Sequence, residues 1–374
     1  PVVSLAAGPR VVTDGEGWRL WDEQGKLTIE GRGATGERAV VSSGKYEASS
    51  AGREVLKAGG NAVDAAIAVA FALSVAEPNS SGIGGGGFMI LRSASGEIVF
   101  LDFRERAPEA ATPALWQRNA EGRIIGGQNM TGGKAVAVPG EVAGLWHAFH
   151  AYGSGNVTWS DLIQPAIRLA EEGFVVTPTL HHDMAASYDA MVAYPEFGEI
   201  FLNERGLNYG VGEVIQNPDL GRTLRRIAEG GKDAFYMGDM ARAMVESVNK
   251  YGGVFTLEDL ASYEVRVLKP VAGTYRGYRV YSSPLPSSGG THILQALNIL
   301  ENFDIQALGH NETETLHILS EAFQMAFADR ARYMGDPNYV RVPAKGLLDK
   351  AYAARQAAQI RMDGRLTYAP VDPW

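Results

Sequence analysis

Apolar positions recur every three to four residues along most of the chain, and a few short apolar runs interrupt that rhythm. Residues 45–57 have helical spacing, and Gly59-Gly60 supplies a fitting stop. Asn61 is placed to cap a second helix over about 62–75, with Asp64 in a first turn whose dipole favours a carboxylate. That helix, "AVDAAIAVAFALSVA", is apolar on most faces, which predicts close packing between other elements. It is short, Ala-rich and broken by Asp64, so it reads as a buried helix, and no membrane span is expected. Further helices are predicted at 140–152, 160–173, 219–229, 238–251, 257–262, 291–302 and about 314–334. In the last of these, Leu316, Leu319, Phe323 and Phe327 mark one face. "FMILRS" and "EIVFLDF" flank the turn "SASG" and predict a hairpin, whose nearly continuous apolar runs imply strands covered on both faces. "VAGTYRGYRVYSSP" predicts another strand pair. Residues 1–40 read as an irregular lead-in with short strands, and 361–374 as an irregular tail whose prolines discourage a helix. Strands with helices on both flanks imply a layered α/β or α+β architecture, and no linker is clear enough to cut the chain.

Composition narrows the chemistry. The net charge of -9 argues against a broad nucleic-acid surface. With no cysteine, disulfides, thiolate metal sites and cysteine nucleophiles are excluded together. The opening "PVVSLAAGPRVVTDG" has no basic region followed by an apolar core, which is read as a signal peptide already removed.

The segment "SGIGGGGF" places Gly82, Gly84 and Gly87 in a G-x-G-x-x-G pattern. A dinucleotide fingerprint needs a strand before the glycines and a helix after them, so that the helix N-terminus points at the pyrophosphate. Here the order is reversed. The alternative is a loop that adopts positive φ and packs without Cβ atoms, as scaffold beside a site where main chain closely approaches a ligand or another chain. Just beyond, "VFLDFRERAP" carries Arg104 past the end of a buried run. Alternation would point Asp102, Arg104 and Arg106 to one side. A guanidinium there suits a two-pronged clamp on a carboxylate, and an internal ion pair with Asp102 is the competing role.

"GGNAVDAAIAVAFALSVAEPNSSGIGGGGFMI" followed by "LDFRERAP", then "SSPLPSSGGTHILQALNILENFD" and "AFADRARYMGDPNYV", resembles the γ-glutamyltranspeptidase family closely, over roughly residues 40–350. The resemblance implies an α+β N-terminal-nucleophile (Ntn) hydrolase fold, an αββα sandwich. It implies that this chain is the large-subunit portion with additional helices: one segment, 1–374, of a two-chain domain, with 361–374 expected ahead of the self-cleavage site. It implies a γ-glutamyl transfer or hydrolysis activity on donors such as glutathione or glutamine, with water, an amino acid or a peptide as acceptor. The nucleophile is the threonine that begins the small subunit, so no catalytic residue is expected on this chain and the pair is expected to be an obligate heterodimer. Arg104, in the family's R-E-x-A-P motif completed by Glu105, Ala107 and Pro108, is expected to bind the glutamyl α-carboxylate. No cofactor, metal or nucleic-acid partner is implied, and the location implied is periplasmic or extracellular.

Other candidates carry less. The chain has no G-x-S-x-G elbow, and Thr291-His292 opens a periodic helix, where Thr caps well. His147 and His150 could share a helix face but lack a third ligand; His181 and His182 diverge. Asp329, Arg330 and Arg332 read as interface or salt-bridge residues, and "PSSGG" at 286–290 as a turn before a helix. The sequons at Asn79, Asn129, Asn156 and Asn311 matter only in a eukaryotic secretory setting. Two other readings stand beside the main one. One is an Ntn acylase of another amide, of the cephalosporin-acylase or polyglutamate-depolymerase type. The other is a non-enzymatic nucleotide-binding or scaffold protein.

Overall fold

The computed structural model describes residues 36–365 and 367–374, so most of the predicted lead-in lies outside the described residues. The described chain divides into two compact units, one of residues 36–87 and 103–265, the other of 88–102 and 266–374.

In the first unit the Tyr46–Lys57 helix packs on Ala62–Ala76, which also packs on Trp159–Glu172, and that helix packs on Pro218–Gly230. Local sequence explains the starts. Asn61 and Asp64 form a reciprocal capping box, and so do Thr158 with Asp161 and Thr256 with Asp259. The buried Asp64 carboxylate also accepts the Ser154 N–H at 3.0 Å, and Asn61 donates to the Tyr152 carbonyl at 2.8 Å. One cap therefore ties the start of Ala62–Ala76 to the end of the Glu141–Tyr152 helix. Phe71 and Trp146 both meet Trp159 edge-on, at 5.4 and 5.0 Å between ring centres. The buried Trp159 N–H is satisfied by the Ile227 carbonyl at 3.0 Å.

The second unit holds a three-stranded sheet in the order Gly87–Arg92, Ile98–Phe103, Arg266–Leu268, whose terminal Gly87 and Phe103 fall in the first unit. It also holds an antiparallel pair, Val271–Tyr275 with Tyr278–Ser282. The hairpin forms, but only its second strand is covered on both faces. The first alternates, with Phe88 and Ile90 partly exposed, because it lies at the sheet edge with one face uncovered. Helices Gly289–Leu300, Thr313–Tyr333 and Lys350–Ala357 pack together, and the first of them also packs on the Val271–Tyr275 and Tyr278–Ser282 pair.

The Thr313–Tyr333 helix buries Thr315, Ile318, Ala322, Met325, Ala326 and Asp329. Of the predicted face, Leu316, Phe323 and Phe327 face outward, each about half exposed at 49%, 49% and 55%, whereas Leu319 packs against the buried core. The buried face combines apolar Ile318, Ala322 and Met325 with Asp329, which closes a hydrogen-bond network, so the larger side chains misled the expectation. Asp329 is its hub and not an ion-pair residue: Gln295, Gln356 and Tyr352 donate to one carboxylate oxygen at 2.5, 2.9 and 2.9 Å, and Tyr368 donates to the other at 3.3 Å. Thr291 is buried within the first turn of Gly289–Leu300, and Ser288 occupies the cap position, so Thr291 begins the helix without capping it. The 361–374 tail has no helix or strand among its described residues, and Tyr368 anchors it in the Asp329 network. Helices at Pro178–Ala186, Tyr188–Ala193, Pro195–Phe201 and Lys350–Ala357 were not expected from the pattern.

Asp329→Ala removes the acceptor shared by four buried donors and leaves a polar void. Urea unfolding is expected to show a loss of about 2–4 kcal/mol.

Candidate functional site

The glycine segment and Arg104 meet in the first unit. None of Gly82, Gly84, Gly85, Gly86 or Gly87 has a positive φ, which corrects the expectation of a left-handed loop. At Gly86 what the loop needs is an absent side chain, whereas a Cβ on Gly84 would meet nothing within 4 Å. A Cβ on Gly86 would overlap the Phe103 carbonyl oxygen, and would lie 3.0 Å from the Glu105 nitrogen and 3.2 Å from the Arg104 carbonyl carbon. On another side Gly140 is equally bare, where a Cβ would overlap the Phe103 carbonyl oxygen and the Tyr263 hydroxyl. The Gly85 carbonyl accepts the N–H groups of Gly140 and Glu141 at 2.8 and 3.0 Å, joining the glycine loop to the start of the Glu141–Tyr152 helix. The main chain around Arg104 is thus enclosed by two glycine-lined walls.

The strand ends at Phe103, so side-chain alternation does not continue through the motif. Asp102 is buried, with its carboxylate held by Arg266 at 2.5 Å, whereas Arg104 and Arg106 are both exposed. The three do not share one side as expected. The Arg104 carbonyl accepts the Tyr263 hydroxyl at 2.8 Å. Arg106 pairs in a bridge with Val138, donates to the Glu264 carbonyl at 2.6 Å and lies over the Tyr263 ring at 5.1 Å. Beside Tyr263 opens a cleft of about 580 Å³, lined among others by Arg106, Val138, Thr256 and Asp259.

Glu141 sits where the helix meets the glycine loop. Burial pushes its carboxyl up to about 7, and the nearby Glu105 charge adds to the effect. Sequence reasoning missed Glu141, Gly140 and Tyr263. "VPGE" ahead of a helix, and the Thr256–Asp259 box two turns before Tyr263, were the signals available.

The remaining candidates do not converge. His147 and His150 share the Glu141–Tyr152 helix, and His150 bonds the Trp146 carbonyl. Burial lowers the pKa of His147, and the neighbouring His150 adds to that. His181 bonds the Tyr209 carbonyl. Among the described residues no three His, Asp or Glu side chains gather as a metal site. "PSSGG" forms the entry to the Gly289–Leu300 helix, with the Gly290 N–H bonded to the Ser283 hydroxyl at 3.2 Å.

The sequence model described as Gamma-glutamyltranspeptidase matches residues 48–372. The chain belongs to that family.

Three relatives illustrate the similarity. The glutathione hydrolase proenzyme of Escherichia coli (strain K12) is 40% identical over 324 residues, covering 87% of this chain and 55% of its own length. The Acylase ACY 1 proenzyme of Pseudomonas sp. (strain SE83) is 41% identical over 346 residues, 90% of this chain and 61% of its own length. The chain therefore spans little more than half of these two proteins. The crystal structure of Helicobacter pylori gamma-glutamyltranspeptidase superposes with a TM-score of 0.86 at 39% identity, covering 90% of this chain and 96% of that one. The γ-glutamyltranspeptidase fold is thus that of the Ntn hydrolases, α+β as expected, and the described residues contain no closed barrel. Among them, no helix is long and apolar enough to cross a membrane.

The Glu141 carboxyl gives a stability test with a definite sign. Between about pH 4.5 and 7 the folded protein keeps a proton that the unfolded chain has released, so stability falls as pH rises through that window and then levels. Glu141→Gln is expected to flatten that slope and to be the more stable protein at pH 8 by about 1–3 kcal/mol in urea unfolding.

Proposed function

We propose that this chain is the large-subunit segment, 1–374, of a γ-glutamyltranspeptidase, and that Arg104 grips the α-carboxylate of the γ-glutamyl donor. The observation that carries the reading is the enclosed backbone of the R-E-x-A-P motif, which presents the exposed Arg104 from a rigid base. Coverage supports the two-chain part: the segment accounts for 55% of one relative called a proenzyme but 96% of a chain in a solved transpeptidase.

The chemistry divides between the chains. The donor's carboxylate takes two parallel charge-assisted hydrogen bonds from Arg104, which orients the γ-amide. The small subunit's N-terminal threonine oxygen attacks the amide carbon. Its own α-amino group takes the hydroxyl proton and passes it to the leaving amine, giving a γ-glutamyl ester. Water, or the amine of an amino acid or peptide, then attacks the ester and releases the threonine. Glutathione and glutamine both fit this scheme, since each joins a free α-amino acid head to a γ-amide. The obligate heterodimer and a periplasmic or extracellular location belong to the same reading.

The test uses the full proenzyme after self-cleavage. Arg104→Ala is expected to lose at least about 2 kcal/mol, roughly thirty-fold, in kcat/KM on a γ-glutamyl anilide. Its turnover of a glutaryl anilide, which lacks the α-carboxylate, should not change. Unchanged γ-glutamyl kinetics in the variant would overturn the role of Arg104. A wild-type preference for the glutaryl compound would favour an acylase instead.

A further inference from the structure

We infer that Tyr263 is a positioning residue for donor selection: its hydroxyl fixes the peptide from which Arg104 projects, and so sets how well the protein recognises an acyl group bearing an α-carboxylate. This deepens the reading just proposed and rests on it.

The argument starts from where Arg104 stands. It lies one residue past the end of its strand. A long exposed side chain on a loosely held peptide would lose much of its contact energy to ordering, so the peptide itself has to be fixed. The carbonyl of Arg104 receives that support from the Tyr263 hydroxyl at 2.8 Å. Tyr263 is itself 6% exposed and cannot swing freely. Its ring stacks on Tyr236, with centres 5.9 Å apart and planes 14° from parallel, and the Arg106 guanidinium covers it at 5.1 Å. Tyr236 is pinned in turn, donating to the Pro139 carbonyl at 2.9 Å and accepting the Ala143 N–H at 3.3 Å.

The helix that precedes Tyr263, Leu257–Ala261, is tied to the same segment a second time. Asp259 closes the capping box with Thr256 and also accepts the Glu109 N–H at 2.8 Å. Tyr263 and Asp259 thus grip the chain before and after Arg106. Gly140 completes the arrangement, since a side chain there would occupy the space through which the hydroxyl reaches. A tyrosine serving only to fill the core would need its ring and not a hydroxyl aimed at this one carbonyl.

Tyr263→Phe removes the hydroxyl while keeping the ring, the stack and the cover by Arg106, so the test does not depend on a disruptive change. The processed full-length enzyme is assayed with a γ-glutamyl anilide and a glutaryl anilide. KM for the γ-glutamyl donor is expected to rise about five- to ten-fold, the scale of one lost hydrogen bond, with kcat within about two-fold and the glutaryl KM unchanged. Tyr188→Phe, which loses a hydroxyl that bonds the Gly206 carbonyl outside this stack, is expected to leave the ratio of the two KM values as it is. An unchanged γ-glutamyl KM in Tyr263→Phe, or an equal rise for both donors, would overturn the inference. Arg104→Ala separates the two levels. If that variant loses γ-glutamyl selectivity while Tyr263→Phe does not, the function stands and the role of Tyr263 falls; if Arg104→Ala is silent, both fall.

Discussion

Everything around the candidate site depends on the close approach of bare main chain to the peptides of residues 103–106. Gly86 and Gly140 each stand where a single methyl group would collide with the Phe103 carbonyl. The Gly85 carbonyl then bridges the loop to the start of the Glu141–Tyr152 helix. Interiors packed to crystal-like density do not absorb such a methyl without moving backbone. Gly86 and Gly140 are therefore a steric requirement of the wall beside Arg104. It also explains how an exposed arginine outside a strand can be held: the enclosure constrains its peptide while its side chain remains at the surface.

The same crowding sets the electrostatics. Glu141 is drawn into the junction of loop and helix, near Glu105, and burial together with that neighbouring charge favours its protonated form. Asp329 in the other unit shows a different way to bury a carboxyl. Burial raises its pKa too, but four neutral donors surround it and oppose that rise. One carboxyl is tolerated by taking up a proton, the other by being fully hydrogen-bonded.

Much of the fold was legible because its signals are local. The Asn61–Asp64 cap, the Gly59-Gly60 stop and the periodic runs at 141–152, 159–172 and 313–333 all depend on residues within one or two turns of each other. Arg104 was legible as a candidate because it sits in an ordered motif. The orientation of the 313–333 helix was not, since Phe323 and Phe327 look like core residues until Asp329, Gln295 and Tyr352 are seen to claim the other face. Alternation past Phe103 failed for a related reason. It holds only while a ladder continues, and the bridge of Arg106 to Val138 replaces the strand there.

By itself the sequence determined most of the longer helices and where they begin, the family to which the chain belongs and the arginine to watch. Those properties follow from near neighbours and from motif order. Only the tertiary structure decided why the glycines are needed, which carboxyl keeps its proton, and that Tyr263 reaches back 159 residues to the Arg104 carbonyl. Steric exclusion and desolvation act between groups that are distant along the chain, and they exist only once folding has brought those groups within a few ångströms of one another.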